Sequence, residues 1–192
     1  MERVAILTPA DAPAFPVRYR RWRNHPAAGV DFPDASLFAS DGATARRVVD
    51  ALAQLLPPDT DVVGGIDVGG LGFAGALAYR NAIGVLDIRK VGAMRIDVIR
   101  GIMANYELGN GVAVSKANPL RGRSVTIIDD CLMTGGTALA AVELVRRLGG
   151  HCGAALFVFE LDAMGGRALL ENVGVRVAVL KTLPRGEPDG AA

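Results

Sequence analysis

Residues 124–138, SVTIIDDCLMTGGTA, constrain what this chain can fold into more than any other segment. Ser124 to Ile128 is short, apolar and β-branched, the composition of a strand buried in a parallel sheet. Asp129 and Asp130 follow at its carboxyl end, the edge where ligands bind in open α/β sheets. Gly135 and Gly136 permit a tight turn and remove the β-carbons that would keep the main chain from an anion. Thr137 is expected to be the N-cap of the helix ALAAVELVRRL, which stops at Gly149-Gly150. The unpaired N–H groups of a first helical turn bind phosphate, and the Thr134 and Thr137 hydroxyls add donors. Two carboxylates facing that phosphate would repel it. Asp129 and Asp130 are therefore expected to face sugar hydroxyls, or a Mg²⁺ held jointly with a second anionic group. Acids that merely cap a helix would explain the Asp pair but not the whole string.

At 192 residues the chain suits one domain with an ample core. A net charge of +1 gives no electrostatic case for nucleic acid or a membrane surface as partner. Apolar residues make up 51% of the chain, which suits a buried parallel sheet or a subunit interface. No run of about 18 apolar residues occurs and no secretory leader is visible, so a cytoplasmic location is expected. Cys131 and Cys152 are then expected as reduced thiols, with Cys131 lining the turn rather than acting as a nucleophile. Metal-ligand spacing of Cys and His is absent. The basic run RYRRWR at 18–23 comes without an RNA-binding module, and it reads as a solvated edge or subunit contact.

Strand and helix patterns alternate along the chain. TARRVVDALAQLL (44–56) is an amphipathic helix stopped by Pro57-Pro58. Strands are expected at 61–67, 84–89, 124–128, 154–161 and 176–183, and helices at 73–82, 137–148 and near 165–172. Residues 1–40 read as an irregular N-terminal hood, 90–120 as a mobile lid or β-flap, and 184–192 as a disordered tail. The alternation predicts a mostly parallel sheet flanked by helices. GGIDVGGLGFAG at 64–75 is a second strand, glycine turn and helix. Its glycines at 69, 70 and 72 suit either close helix packing or a second anion. Beside the 124–138 site, Val68, Gly69 and Gly70 become a candidate second anion loop, with Arg89, Lys90 and Arg95 as candidate cations.

The 125–138 string resembles the 5-phosphoribosyl-1-pyrophosphate (PRPP) signature of type I phosphoribosyltransferases. The resemblance narrows to the adenine phosphoribosyltransferase branch over roughly 28–183. GVDFPDAS (29–36), GIDVGGLGF, IRKVG (88–92), ANYELGNG (104–111), RRLGG and FVFELDAMGGRALL carry it. It implies the type I fold with a flexible flap and a small hood, Mg²⁺ as cofactor, a homodimer, and a small nitrogenous acceptor. By the same resemblance Asp129 and Asp130 engage the ribose hydroxyls, with any metal contact indirect. Met133, Thr134, Gly135, Gly136 and Thr137 hold the 5′-phosphate, and Val30 and Phe32 line the base pocket.

The departures bear on the acceptor. The family's pyrophosphate-loop Arg falls on Gly69, and its flap Glu and Tyr fall on Gly109 and Asn110. The Arg after Gly-Val-x-Phe falls on Pro33, and a Lys falls on Ala93. Glu107 and Arg95 are the candidate stand-ins, Glu107 as the catalytic carboxylate. Three readings stay open: transfer to adenine giving AMP, transfer to another or biosynthetic acceptor, and a non-catalytic PRPP or nucleotide sensor.

Overall fold

The computed structural model describes residues 19–90, 98–102 and 111–186. Two short strands, β1 (Arg20–Trp22) and β2 (Phe32–Asp34), pair antiparallel, and α1 (Ser36–Ala39) follows. Within the segment expected to be irregular, 20–34 is thus a small hairpin. Its strands are too short and polar to announce themselves by alternation. α2 (Gly42–Leu55) starts where the Asp41 carboxylate accepts the Thr44 N–H, and it buries Val48 and Leu52 on one stripe. It ends just before Pro57-Pro58.

β3 (Val62–Ile66) is buried at every position. α3 (Gly69–Asn81) follows it directly, and β4 (Gly84–Lys90) returns parallel to β3. α3 begins at Gly69, not at 73 as its glycines suggest. Its first turn absorbs the glycine string, because Gly70 packs against the Ile128 carbonyl with no room for a β-carbon. β5 (Val98–Ile102) and β6 (Gly111–Ser115) pair antiparallel and extend the sheet beside β4. They are the described part of the expected flap.

β7 (Ser124–Leu132), α4 (Gly136–Arg147), β8 (His151–Leu161), α5 (Gly166–Glu171) and β9 (Arg176–Leu183) complete the order. β7 runs four residues beyond the expected Ile128, because β8 is long enough to pair with Asp129, Cys131 and Leu132. The two acids therefore lie within the strand rather than beyond its end.

The seven strands order as β5-β6-β4-β3-β7-β8-β9, with β4, β3, β7, β8 and β9 mutually parallel. From β3 the chain steps to β4 in one direction. From β7 it steps through β8 to β9 in the other. Crossovers of one hand then put α3 and α4 on opposite faces. Accordingly, one core packs Val48, Leu52, Phe73 and Leu77 against Val63, Ile128, Leu156 and Val158. The other packs Ala141, Leu144, Val145 and Leu170 against Ile66, Ile127, Ala155 and Val177. The direction reverses between β3 and β7, and a crevice opens at such a switch point.

Candidate active site

A cavity of about 260 Å³ lies at that switch point, at the carboxyl ends of β3 and β7. Asp67, Val68 and Gly69 line it from the β3–α3 junction, Lys90 from the end of β4, and Phe32 from the hood. β7 contributes Asp129, Asp130, Cys131 and Leu132, and the following turn contributes Met133 through Thr137. Ala138 and Phe157 complete the lining.

The turn after β7 leads the start of α4 to the edge of the cavity. Gly135 has φ +79°, a left-handed conformation, and serves as the N-cap of α4. Thr137 was expected there, but it lies inside the first helical turn. Two successive glycines allow the helix to begin earlier, before any side-chain cap. The loop also rests on α5. Gly166 donates its N–H to the Met133 carbonyl at 3.0 Å. A β-carbon on Gly135 would sit 3.0 Å from the Gly166 main chain. The Gly165-Gly166 pair is thus the outer support of the loop. The sequence offers a second Gly-Gly at the start of the short helix expected near 165–172, with no sign of its contact to the loop.

The carboxylates sit between protein and cavity. The Asp130 N–H donates to the Asp129 carboxylate at 2.9 Å. Burial raises the Asp129 carboxyl well above its ordinary range, and the charge of Asp130 raises it further. Burial raises Asp130 as well. Lys90 opposes both shifts, since its positive charge favours the ionised acids. Burial and then the two acids push the Cys131 thiol far up, which disfavours a thiolate there. Across the cavity, a β-carbon on Gly69 would sit 2.5 and 2.6 Å from the Asp130 carboxylate oxygens. Asp130 thus occupies the space that a side chain at position 69 would need.

The cavity brings together Asp129, Asp130, Met133, Thr134, Gly135, Gly136, Thr137, Val68, Gly69, Lys90 and Phe32 from the expected set. Three expected residues are not among those lining it. Val30 is 2% exposed and packs in the core beneath the hood. Gly70 is held against β7. Arg89 points away, paired to Asp87 at 3.0 Å, as the alternation of β4 requires of a neighbour of Lys90. Glu107 and Arg95, with Ala93, Gly109 and Asn110, lie outside the described residues. Asp67 and Phe157 line the cavity without having been singled out. Phe157 arrives from β8, and only strand order places it there.

Among the described residues no three His, Cys, Asp or Glu side chains gather as a metal cage. Two adjacent carboxylates at a phosphate site still fit Mg²⁺, which keeps waters and takes substrate oxygens as most of its ligands.

The phosphoribosyl transferase domain family matches residues 40–177. An adenine phosphoribosyltransferase from Mycobacterium avium is 41% identical over 160 residues, 81% of this chain and 87% of that protein. One from Mesorhizobium japonicum is 35% identical over 159 residues, 82% of this chain and 87% of that one. Among solved structures, adenine phosphoribosyltransferase from Thermoanaerobacter pseudethanolicus superposes with a TM-score of 0.77 at 28% identity, covering 86% of this chain and 95% of that one. The Giardia lamblia enzyme complexed with 9-deazaadenine gives 0.78 at 26% identity, covering 93% and 99%. With its switch-point cavity, its glycine turn and these matches over most of its length, the chain belongs to the phosphoribosyl transferase domain family.

Proposed function

We propose that the chain transfers 5-phosphoribosyl from PRPP to adenine, forming AMP and releasing pyrophosphate. The observation that carries this reading is the convergence of Asp129, Asp130 and the 133–137 turn on one cavity at the switch point. Main-chain N–H groups at the start of α4 bind the 5′-phosphate, aided by Thr134 and Thr137. Asp129 and Asp130 orient the ribose hydroxyls, and their charge favours the cationic sugar that forms as the C1–oxygen bond breaks. Attack by the acceptor nitrogen and departure of pyrophosphate occur on opposite faces of C1, so alignment supplies much of the rate. Lys90 is the one cation lining the cavity among the described residues, and it balances charge on the pyrophosphate side. Asp129 and Asp130 would hold a Mg²⁺ indirectly, and the ion would supply charge neutralisation of the leaving group. Phe32 faces the acceptor. Glu107, on the segment between β5 and β6, is the candidate to steer the acceptor proton.

The enzyme works as a cytoplasmic homodimer in this reading. Tyr79 and Val85, 93% and 50% exposed, support a partner surface. No helix among the described residues is long and apolar enough to cross a membrane.

A second acceptor, a different base or a biosynthetic nitrogen, is favoured by Pro33, which follows the cavity-lining Phe32 and offers no cationic group where the family has Arg. Gly69 offers no side chain to the pyrophosphate, and that loss favours the sensor reading instead. Purified protein with PRPP, Mg²⁺ and a panel of bases separates the readings. Pyrophosphate and AMP with adenine support the first. Release with another acceptor alone supports the second. No release with any acceptor, together with a raised melting temperature in PRPP, points to a sensor.

A further inference from the structure

Arg21 helps fasten the hood to the body, beside Val30 in the core and the Tyr19 ring against Phe159. Arg21 lies in the middle of β1, and its guanidinium spans the hairpin and the exit of β9. Its Nε and Nη2 donate to the Asp31 carbonyl at 3.2 and 3.0 Å. Nη2 also donates to the carbonyls of Pro184 at 2.5 Å and Arg185 at 3.4 Å. The Asp31 N–H closes the same junction by donating to the Arg185 carbonyl at 2.8 Å. The Asp31 carboxylate accepts the Asn24 N–H at 3.2 Å. Gly186 passes so close that a β-carbon there would sit 2.9 Å from the Gly29 carbonyl oxygen.

This junction bears on the acceptor because Phe32 is the next residue and lines the cavity. Both main-chain groups of Asp31 are engaged, and Pro33 has no N–H to offer. At this point the hood presents the acceptor with an aromatic ring, and the seat of the hood decides where that ring lies. The neighbouring Arg20 has a different task, pairing with Asp34 at 2.9 Å and covering the Trp22 ring at 4.1 Å.

We propose that Arg21 is a positioning residue for the acceptor half of the site, acting through Asp31 on Phe32. A guanidinium suits the task because its planar fork serves several carbonyls at once, which a single ammonium does not match. The proposal rests on the transfer reading above. It assigns to Arg21, within the basic run at 18–23, an intramolecular role in selecting and holding the acceptor.

The test uses the full chain with Arg21→Ala and Arg21→Lys, assayed with PRPP, Mg²⁺ and adenine. Arg21→Ala is expected to raise the adenine KM about tenfold or more, with the PRPP KM and kcat changed by less than about threefold. Arg21→Lys is expected to fall between Arg21→Ala and wild type. A parallel rise in both KM values, or an unchanged adenine KM, overturns the proposal. Trp22 is the single tryptophan and sits beside Arg21, so its fluorescence anisotropy reads the hood without turnover and should drop in Arg21→Ala. If wild type releases no pyrophosphate, the transfer reading fails by itself. The Arg21 proposal then stands or falls on Trp22 anisotropy and on adenine binding followed by Trp22 emission. Equal values in wild type and variant overturn it. If Arg21→Ala loses its cooperative melting transition, Arg21→Lys carries the same comparisons.

Discussion

At Asp129 the demands of folding and of the site oppose each other. Its carboxyl is raised by burial first and by Asp130 second. A carboxyl raised in the folded state favours folding when protonated. Its contribution is therefore most favourable below about pH 4, the ordinary carboxylate range, and declines as pH rises toward the folded value. Asp129→Asn removes that penalty. Thermal melts should find the variant more stable than wild type at pH 8 by about 1–3 kcal/mol, with the gap closing toward pH 4. Transfer activity should drop about 100-fold or more, because the ribose hydroxyls and the developing positive charge lose their partner. A gap that stays constant with pH would refute the assignment. Asp34 has the opposite sign. The Ser36 main-chain N–H holds it well below the usual range, so its contribution is lost as pH falls. The residue types of the Asp pair and the Thr-Gly-Gly-Thr turn were legible in the sequence, because adjacent acids, glycines and hydroxyls at that spacing have few other uses. The fit of Asp130 into the space at Gly69 was not legible, since those residues meet only when α3 packs on β7.

At the scale of elements, two glycines of α3 separate packing from backbone preference. Gly70→Ala would drive a β-carbon into the Ile128 carbonyl and push α3 off β7. Denaturant unfolding should show a loss of about 1–3 kcal/mol. Gly72 has nothing within 4 Å of where its β-carbon would lie. Gly72→Ala should be neutral or stabilising by up to about 1 kcal/mol, as alanine is the better helix former. Equal losses in the two variants would contradict the packing argument. The same helix shows why element boundaries were less legible than element types. A glycine-rich string with no apolar period reads as a turn, yet Gly69 and Gly70 are glycines because a helix end is pressed against a strand. β7 was likewise read too short, because its acids break the apolar run while pairing to β8 carries the strand on through Leu132.

At the scale of the whole molecule, ligand linkage tests the site. PRPP with Mg²⁺ at about 100 times its Kd should stabilise the fold by about 2.7 kcal/mol, which for a chain of this size is a rise of roughly 5–10 °C in Tm. Asp129→Asn should lose much of that rise. A full shift in that variant would place PRPP elsewhere. The sequence alone determined the local chemistry: buried strands, amphipathic helices, a glycine turn able to hold phosphate, and two acids beside it. It did so because hydrophobic period and glycine conformational freedom act within a few residues of each other. The tertiary structure alone decided which pieces share a cavity. Strand order put β3 beside β7 and so set Gly69 against Asp130. The same order brought Phe157 in from β8 and Lys90 from the end of β4. Arg21 reaches the end of β9 for the same reason. These are contacts between residues far apart in the chain, and their register is settled by packing of both sheet faces rather than by any local preference.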